Sequence, residues 1–183
     1  MKTTGLLILP AFFLFFLTTR IPAQENTWNT AAWFDTRRLV GDRYETLEPC
    51  SDAVAVVRRS GRFGIINQQG AELAPPIHSQ IYRSNDEVLL VQQDGKTGAF
   101  GTHGAWIVPV DFAEVKSFPA AGGTVACRRD SLFAIFDVGG KQLTPFQFRG
   151  VKEVVPGRII ARIGNVAWGG WDGNGKPLVP ERY

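Results

Sequence analysis

The chain is poor in the residues that most often carry chemistry. Among 183 residues it has two histidines, one methionine, and two cysteines, Cys50 and Cys127. So few histidines leave little material for a zinc centre or a general base, the two commonest uses of imidazole. Two cysteines do not make a disulfide framework. A Gly-x-Ser-x-Gly elbow, which would announce a serine hydrolase, is missing as well.

Long apolar runs are missing except at the start. Residues 6–17 are mostly apolar, but a membrane-crossing helix needs about 20 such residues. Lys2 precedes the run and Ile21-Pro22-Ala23 follows it, so residues 1–23 read as a secretory signal peptide cut after Ala23. The alternative is an uncleaved anchor. No cysteine follows the run, which argues against a lipid anchor there. The expected location is periplasmic or secreted.

A strong charge is also absent. Removing residues 1–23 takes Lys2 and Arg20 from the 20 basic residues and none of the 17 acidic ones, so the formal net charge falls from +3 to +1. A field this weak drives little counterion release from a polyanion, so nucleic acid is not an expected partner. Residues 24–183 are enough for one domain with its own core.

What is present is a period. Gly70, Gly104, Gly140 and Gly175 recur every 34 to 36 residues, each followed five residues later by Pro75, Pro109, Pro145 or Pro180. Three residues further stands a ring: His78, Phe112, Phe148 or Tyr183. Six residues before each glycine sits a small residue, Gly64, Gly98, Ala134 or Gly169. Self-similarity at this period marks a repeat architecture. Within each copy, residues 54–57, 88–91, 124–127 and 159–162 read as a first strand. The pairs Ser60-Gly61, Asp94-Gly95, Asp130-Ser131 and Gly164-Asn165 supply the two-residue turns that follow. A second strand, the anchor glycine and a third strand come next, and proline is expected to end the ladder. Trp33-Phe34-Asp35 resembles Gly170-Trp171-Asp172, and Tyr44 stands 34 residues before His78, which marks a worn first copy of capping type. No helix of ten or more residues is expected after residue 23.

These residues resemble the WG repeat family, whose units combine an aromatic-Gly pair, an Asp-x-x-Gly-Lys turn and a Pro-x-x-Tyr end. The copy most similar to the family runs over residues 165–183 and holds Trp168-Gly169, Asp172, Gly175-Lys176, Pro180 and Tyr183. The other copies read Phe63-Gly64, Thr97-Gly98 and Phe133-Ala134. The likeness covers about residues 29–183: a degenerate copy over 29–52, then repeats over 53–86, 87–123, 124–157 and 158–183. It implies an all-β domain over 24–183 made of tandem three-stranded units, either an open twisted array or a small propeller-like ring. It also implies a non-enzymatic binding scaffold exported from a bacterial cell, engaging a protein partner. Carbohydrate or cell-wall binding is the alternative, and it would need exposed tryptophans such as Trp28, Trp33, Trp106 and Trp171 to stack on sugar faces.

The motifs that imitate chemistry reduce to this scaffold. Gly170-Trp171-Asp172-Gly173-Asn174-Gly175-Lys176 follows a phosphate loop up to its lysine, but Pro177 replaces the hydroxyl residue and prevents the following helix. Asp172-Gly173-Asn174 opens like a calcium loop but meets Lys176 and Pro177 where an oxygen ligand and a glycine belong. His78 occupies the ring position and His103 a hairpin tip. The pairs Asp111 with Glu114 and Asp42 with Glu45 read as solvated strand ends. Arg37-Arg38, Arg58-Arg59 and Arg128-Arg129 offer a basic ridge or, as the preferred reading, solvated edge strands that discourage aggregation. No catalytic, cofactor-binding or metal-ligating residue is expected. Cys50 and Cys127 are placed two repeats apart, at core positions. Cys127 aligns with Val57, Val91 and Arg162, and Cys50 with Ser84, Phe118 and Val154. Whether the two are bonded stays open.

Overall fold

A computed structural model describes residues 30–121, 123–165 and 167–179. The signal-peptide expectation for residues 1–23, together with Trp28, Pro180 and Tyr183, lies outside the described residues. The fold is all-β with one short helix. Helix α1 (Thr30–Val40) is followed by a first sheet of β1 (Thr46–Pro49), β2 (Val54–Arg59), β3 (Arg62–Asn67) and β4 (Glu72–His78). The second sheet holds β5 (Gln80–Arg83), β6 (Val88–Gln93), β7 (Lys96–Gly101) and β8 (Trp106–Phe112), and the third β9 (Glu114–Ser117), β10 (Val125–Arg129) and β11 (Leu132–Phe136). The fourth holds β12 (Gly150–Val155), β13 (Arg158–Arg162), β14 (Gly169–Asp172) and β15 (Pro177–Val179). Every pairing is antiparallel and joins consecutive strands.

The first sheet is covered by α1 on one face and the second sheet on the other, and the second sheet by its two neighbours, which explains why β2 and β6 read as unbroken apolar runs rather than alternating ones. Val56, Ile65 and Ala74 meet Ile81, Leu89, Val91 and Phe100 between the first and second sheets. Leu90, Ala99 and Val108 meet Val115, Val125 and Cys127 between the second and third. Ala126 and Ile135 meet Ile159, Ala161 and Trp171 between the third and fourth. Two contiguous residues of one strand therefore serve two different cores.

Proline does not end the ladder as expected. Strands β4 and β8 run through Pro75-Pro76 and Pro109 by bulging: Phe63 pairs with His78 but Ile65 with Ala74, and Thr97 with Phe112 but Ala99 with Val108. Two extra residues on the outer strand absorb the missing proline N–H. The bulge presses its backbone onto the small residue opposite. A Cβ at Gly64 would stand 2.8 Å from the Ala74 oxygen and the Pro76 nitrogen, and one at Gly98 would stand 2.8 Å from the Pro109 carbonyl carbon. The third unit carries Ala134 at this place. There the outer strand dissolves into two single bridges, Phe133 with Phe148 and Phe136 with Gln142, and the sheet keeps three strands.

Other expectations are also corrected. Three of the four sheets have four strands rather than three, because a short strand after each ring pairs with the strand that follows. Residues 30–40 form a helix, so Trp33-Phe34-Asp35 is not a strand. Ala31 and Ala32 favour helix, Arg37 and Arg38 suit its C-terminal dipole, and Trp33, Thr36 and Val40 fall on one buried face. Trp33 Nε1 donates to the Ser51 carbonyl at 3.0 Å, and the Thr36 hydroxyl donates to the Gln68 carbonyl at 2.7 Å. In the fourth sheet the register is one residue earlier than expected. Ile159 pairs with Trp171 as Ala55 does with Ile66, so Cys127 corresponds to Ala161 rather than Arg162, and Cys50 to Val155 rather than Val154. Gly164-Asn165 lie in the longer 163–168 connection, not in a two-residue turn. The turns at Ser60-Gly61 and Asp94-Gly95 do have positive φ at both residues, as a tight hairpin requires.

Candidate binding surface

The four recurring turns hold themselves together and leave little for a ligand. Each anchor glycine donates its N–H to the residue three earlier, Gly140 to Asp137 and Gly175 to Asp172, both at 3.0 Å. The Asp172 carboxylate accepts from the amides of Asn174 and Lys176 at 2.9 and 2.8 Å. The segment that imitates phosphate and calcium loops is therefore a closed hairpin turn. Among the described residues no group of three or more His, Cys, Asp or Glu side chains could hold a metal ion.

Several of the paired carboxylates and arginines bridge one another, while Asp42 lies exposed in the 41–43 turn. Asp111 bridges Arg129 at 3.3 Å, and Glu114 bridges Arg128 at 2.9 Å and Lys116 at 3.4 Å. Glu45 bridges Arg58 at 3.4 Å, and Glu72 bridges Arg59 at 3.2 Å while accepting the Tyr44 hydroxyl at 2.8 Å. The same cations lie over rings: Arg59 over Tyr44, Arg129 over Phe112 and Phe146, and Arg58 over Phe63. These arginines sit on β2 and β10, which are interior strands, so the edge-strand reading is wrong. Arg37 and Arg38 are on α1. A ridge paired in this way offers little free positive charge to an acidic ligand.

The ring series is buried at Tyr44, His78, Phe112 and Phe148. His78 is 4% exposed, lies edge-on to Trp106 with centroids 6.1 Å apart, and neither of its nitrogens has a hydrogen-bond partner. Burial lowers its pKa below the ordinary value, and the Gln93 side chain, close by but outside hydrogen-bond geometry, acts the other way. At this register the neighbouring units place Arg59 and Arg129, so a glutamine here avoids setting a cation against the histidine. His103 is exposed at its turn, with its ring laid over Gly101. Both cysteines are free and buried in different inter-sheet cores. Burial raises the Cys50 thiol and pushes Cys127 up to about 12.

Among the described residues, three open grooves stand out. A polar one of about 330 Å³ lies between the first two sheets and is lined by Asp52, Asn67, Gln68 and His103 among others. An apolar one of about 340 Å³ lies beside α1, against Trp33, Phe34, Arg37, Leu47 and Pro49. The largest of the three, about 400 Å³, lies on the outer face of the fourth sheet. Ile160, Trp168, Gly169, Gly170, Val179 and Lys152 line it. Among the described residues the tryptophans do not form a platform: Trp33 and Trp171 are 3% and 7% exposed, Trp106 packs edge-on against Phe100, and Arg162 lies over Trp168. From the sequence a strand is expected at 159–162 with no assignment of its faces, so this surface was not foreseen.

The molecule is thus an all-β protein of four small antiparallel sheets with a helix against the first. No protein-family model matches the chain, and no curated protein matches it. Among solved structures it is similar to the crystal structure of the N-terminal domain of Nup159, at 10% identity and a TM-score of 0.36. That likeness covers 77% of this chain and 44% of that one, so the chain spans less than half of its length. No helix among the described residues is long and apolar enough to cross a membrane.

Proposed function

We propose that the chain is a non-enzymatic WG-type repeat scaffold, exported from a bacterial cell, that binds a protein partner through the end of an open array. The observation carrying this reading is the outer face of the fourth sheet, where Ile160 and Val179 are 38% and 48% exposed around an apolar groove. The recurring bulge against Gly64 and Gly98 supports the tandem-unit reading. Helix α1 packs Trp33 and Val40 on Ala55, Val57 and Ile66, the face that a last unit would need to close a ring, and so supports an open array. A face that is apolar at its centre with Lys152 at its side has the character of a protein interface. Carbohydrate binding is less well supported, since Trp33 and Trp171 are buried and Trp106 packs against Phe100.

The test is capture of partners from an envelope extract on the immobilised chain lacking residues 1–23, read by mass spectrometry. Proteins retained by the folded chain, and lost both on heat unfolding and with Ile160→Glu, support the proposal. Retention of polysaccharide without a specific protein overturns it in favour of glycan binding.

A further inference from the structure

The apolar groove beside α1 has two walls. Trp33, Phe34 and Arg37 come from the helix, and Leu47 and Pro49 from β1, the edge strand of the first sheet. Phe34 is 71% exposed, while Trp33 and Leu47 reach the core beneath. Pro49 has no N–H to offer, so this edge discourages an added strand and suits a side chain as its occupant. The helix itself is 11 residues long, which is marginal in water without support. The hydrogen bonds of Trp33 and Thr36 hold its inward face, and its first turn carries no acidic residue to complement the dipole.

We propose that the chain just ahead of α1 supplies the occupant, seating the Trp28 ring in this groove. The helix begins at Thr30, so Asn29 takes the capping position, where asparagine suits the free amides of the first turn. Counted from that cap, Trp28 is the residue before it and Trp33 is the fourth residue of the helix. Apolar side chains at these two positions meet and fix the angle at which a chain enters its helix, and Trp33 already lines the groove. Trp28 is also the only apolar residue of the segment 24–29, whose other members are Gln24, Glu25, Asn26, Thr27 and Asn29. Seated there, its indole covers the exposed ring of Phe34 and receives the Arg37 guanidinium on its face. The same contact withdraws Trp28 from the sugar-stacking role that the carbohydrate alternative gives it.

The test is NMR of the isotope-labelled full chain, reading nuclear Overhauser contacts from the Trp28 indole, which is assigned by its loss in Trp28→Phe. The expected contacts run to the Leu47 methyls and the Phe34 ring. Urea unfolding of Trp28→Ala, Phe34→Ala and the double variant accompanies it. Trp28→Ala is expected to lower the folding equilibrium constant about tenfold, as loss of a buried ring does. The double variant is expected to lose less than the product of the two single losses, by a factor of about three, because the two rings pack on each other. Multiplicative losses with no coupling overturn the proposal, as does an indole that contacts neither Leu47 nor Phe34. A mixture of labelled and unlabelled chains names any rival: a Leu47 contact that crosses between two copies also overturns it, since the groove then holds a second molecule.

Discussion

His78→Phe is expected to stabilise the protein, and more so in acid. Phenylalanine stands at the equivalent positions 112 and 148, both buried, so the site accepts that ring shape. The substitution removes two buried nitrogens that have no partner. Such groups cost about 1–3 kcal/mol of desolvation each, and the edge-on packing against Trp106 survives the change. A net gain of about 1 kcal/mol near pH 7.5 follows once relaxation is allowed for, or about 2–4 °C in Tm for a chain of this size. The pH dependence comes from burial. The folded-state pKa of His78 lies below that of the unfolded chain, so the unfolded state takes up the proton first. Stability is then complete above about pH 6.5 and is lost as pH falls toward the folded-state pKa, at about 1.4 kcal/mol for each unit of depression. Its cross-strand neighbour Phe63 carries Arg58 at 5.8 Å, and no carboxylate is hydrogen-bonded to the histidine to offset a second cation. Urea unfolding of both proteins at pH 7.5 and pH 5 measures this directly. His103 remains in both and cancels. A gap between the two proteins that does not widen at pH 5, or a less stable variant at both values, refutes the reasoning.

Gly98→Ala should destabilise by about 1–3 kcal/mol or more, because its methyl would overlap the Pro109 backbone, while Ala134→Gly in the relaxed third unit should cost less than half as much; chemical denaturation compares them. Trp33→Ala should cost about 3–5 kcal/mol and increase binding of a hydrophobic dye, since it uncovers Ala55, Val57 and Ile66. Cys127, fully buried with its thiol pushed up to about 12, should resist alkylation at pH 8 in the folded protein and react at once in denaturant, as mass spectrometry after iodoacetamide will show.

The period was readable because it records a steric fact. Gly64 and Gly98 lie opposite bulged prolines, and no larger residue fits there, so the spacing of small residue, turn glycine, proline and ring survives in the letters. The short strands β1, β5, β9 and β12 were not readable. Segments such as Gln80–Arg83 have one buried side chain, Ile81, and draw their order from hydrogen bonds to the following strand. The helix was missed for a related reason. Trp33 and Val40 contribute apolar surface that either a strand or a helix can present, and the choice was made by contacts more than ten residues away, to Ser51 and Gln68. The register of the fourth unit was hidden by its 163–168 connection, one residue longer than the spacing of the other units allows, which moves the first strand to Arg158–Arg162.

Helix α1 makes the two ends of the stack unequal for the history of the gene as well as for assembly. A duplicated unit appended after β15 meets a sheet face on which Ile160 and Val179 are exposed and no helix is packed among the described residues. A unit inserted ahead of β1 meets a helix bound by Trp33 and Thr36, and must displace it before it can pack. Length variation among chains of this design should therefore collect at the C-terminal side, with the helix marking a fixed point from which units are counted.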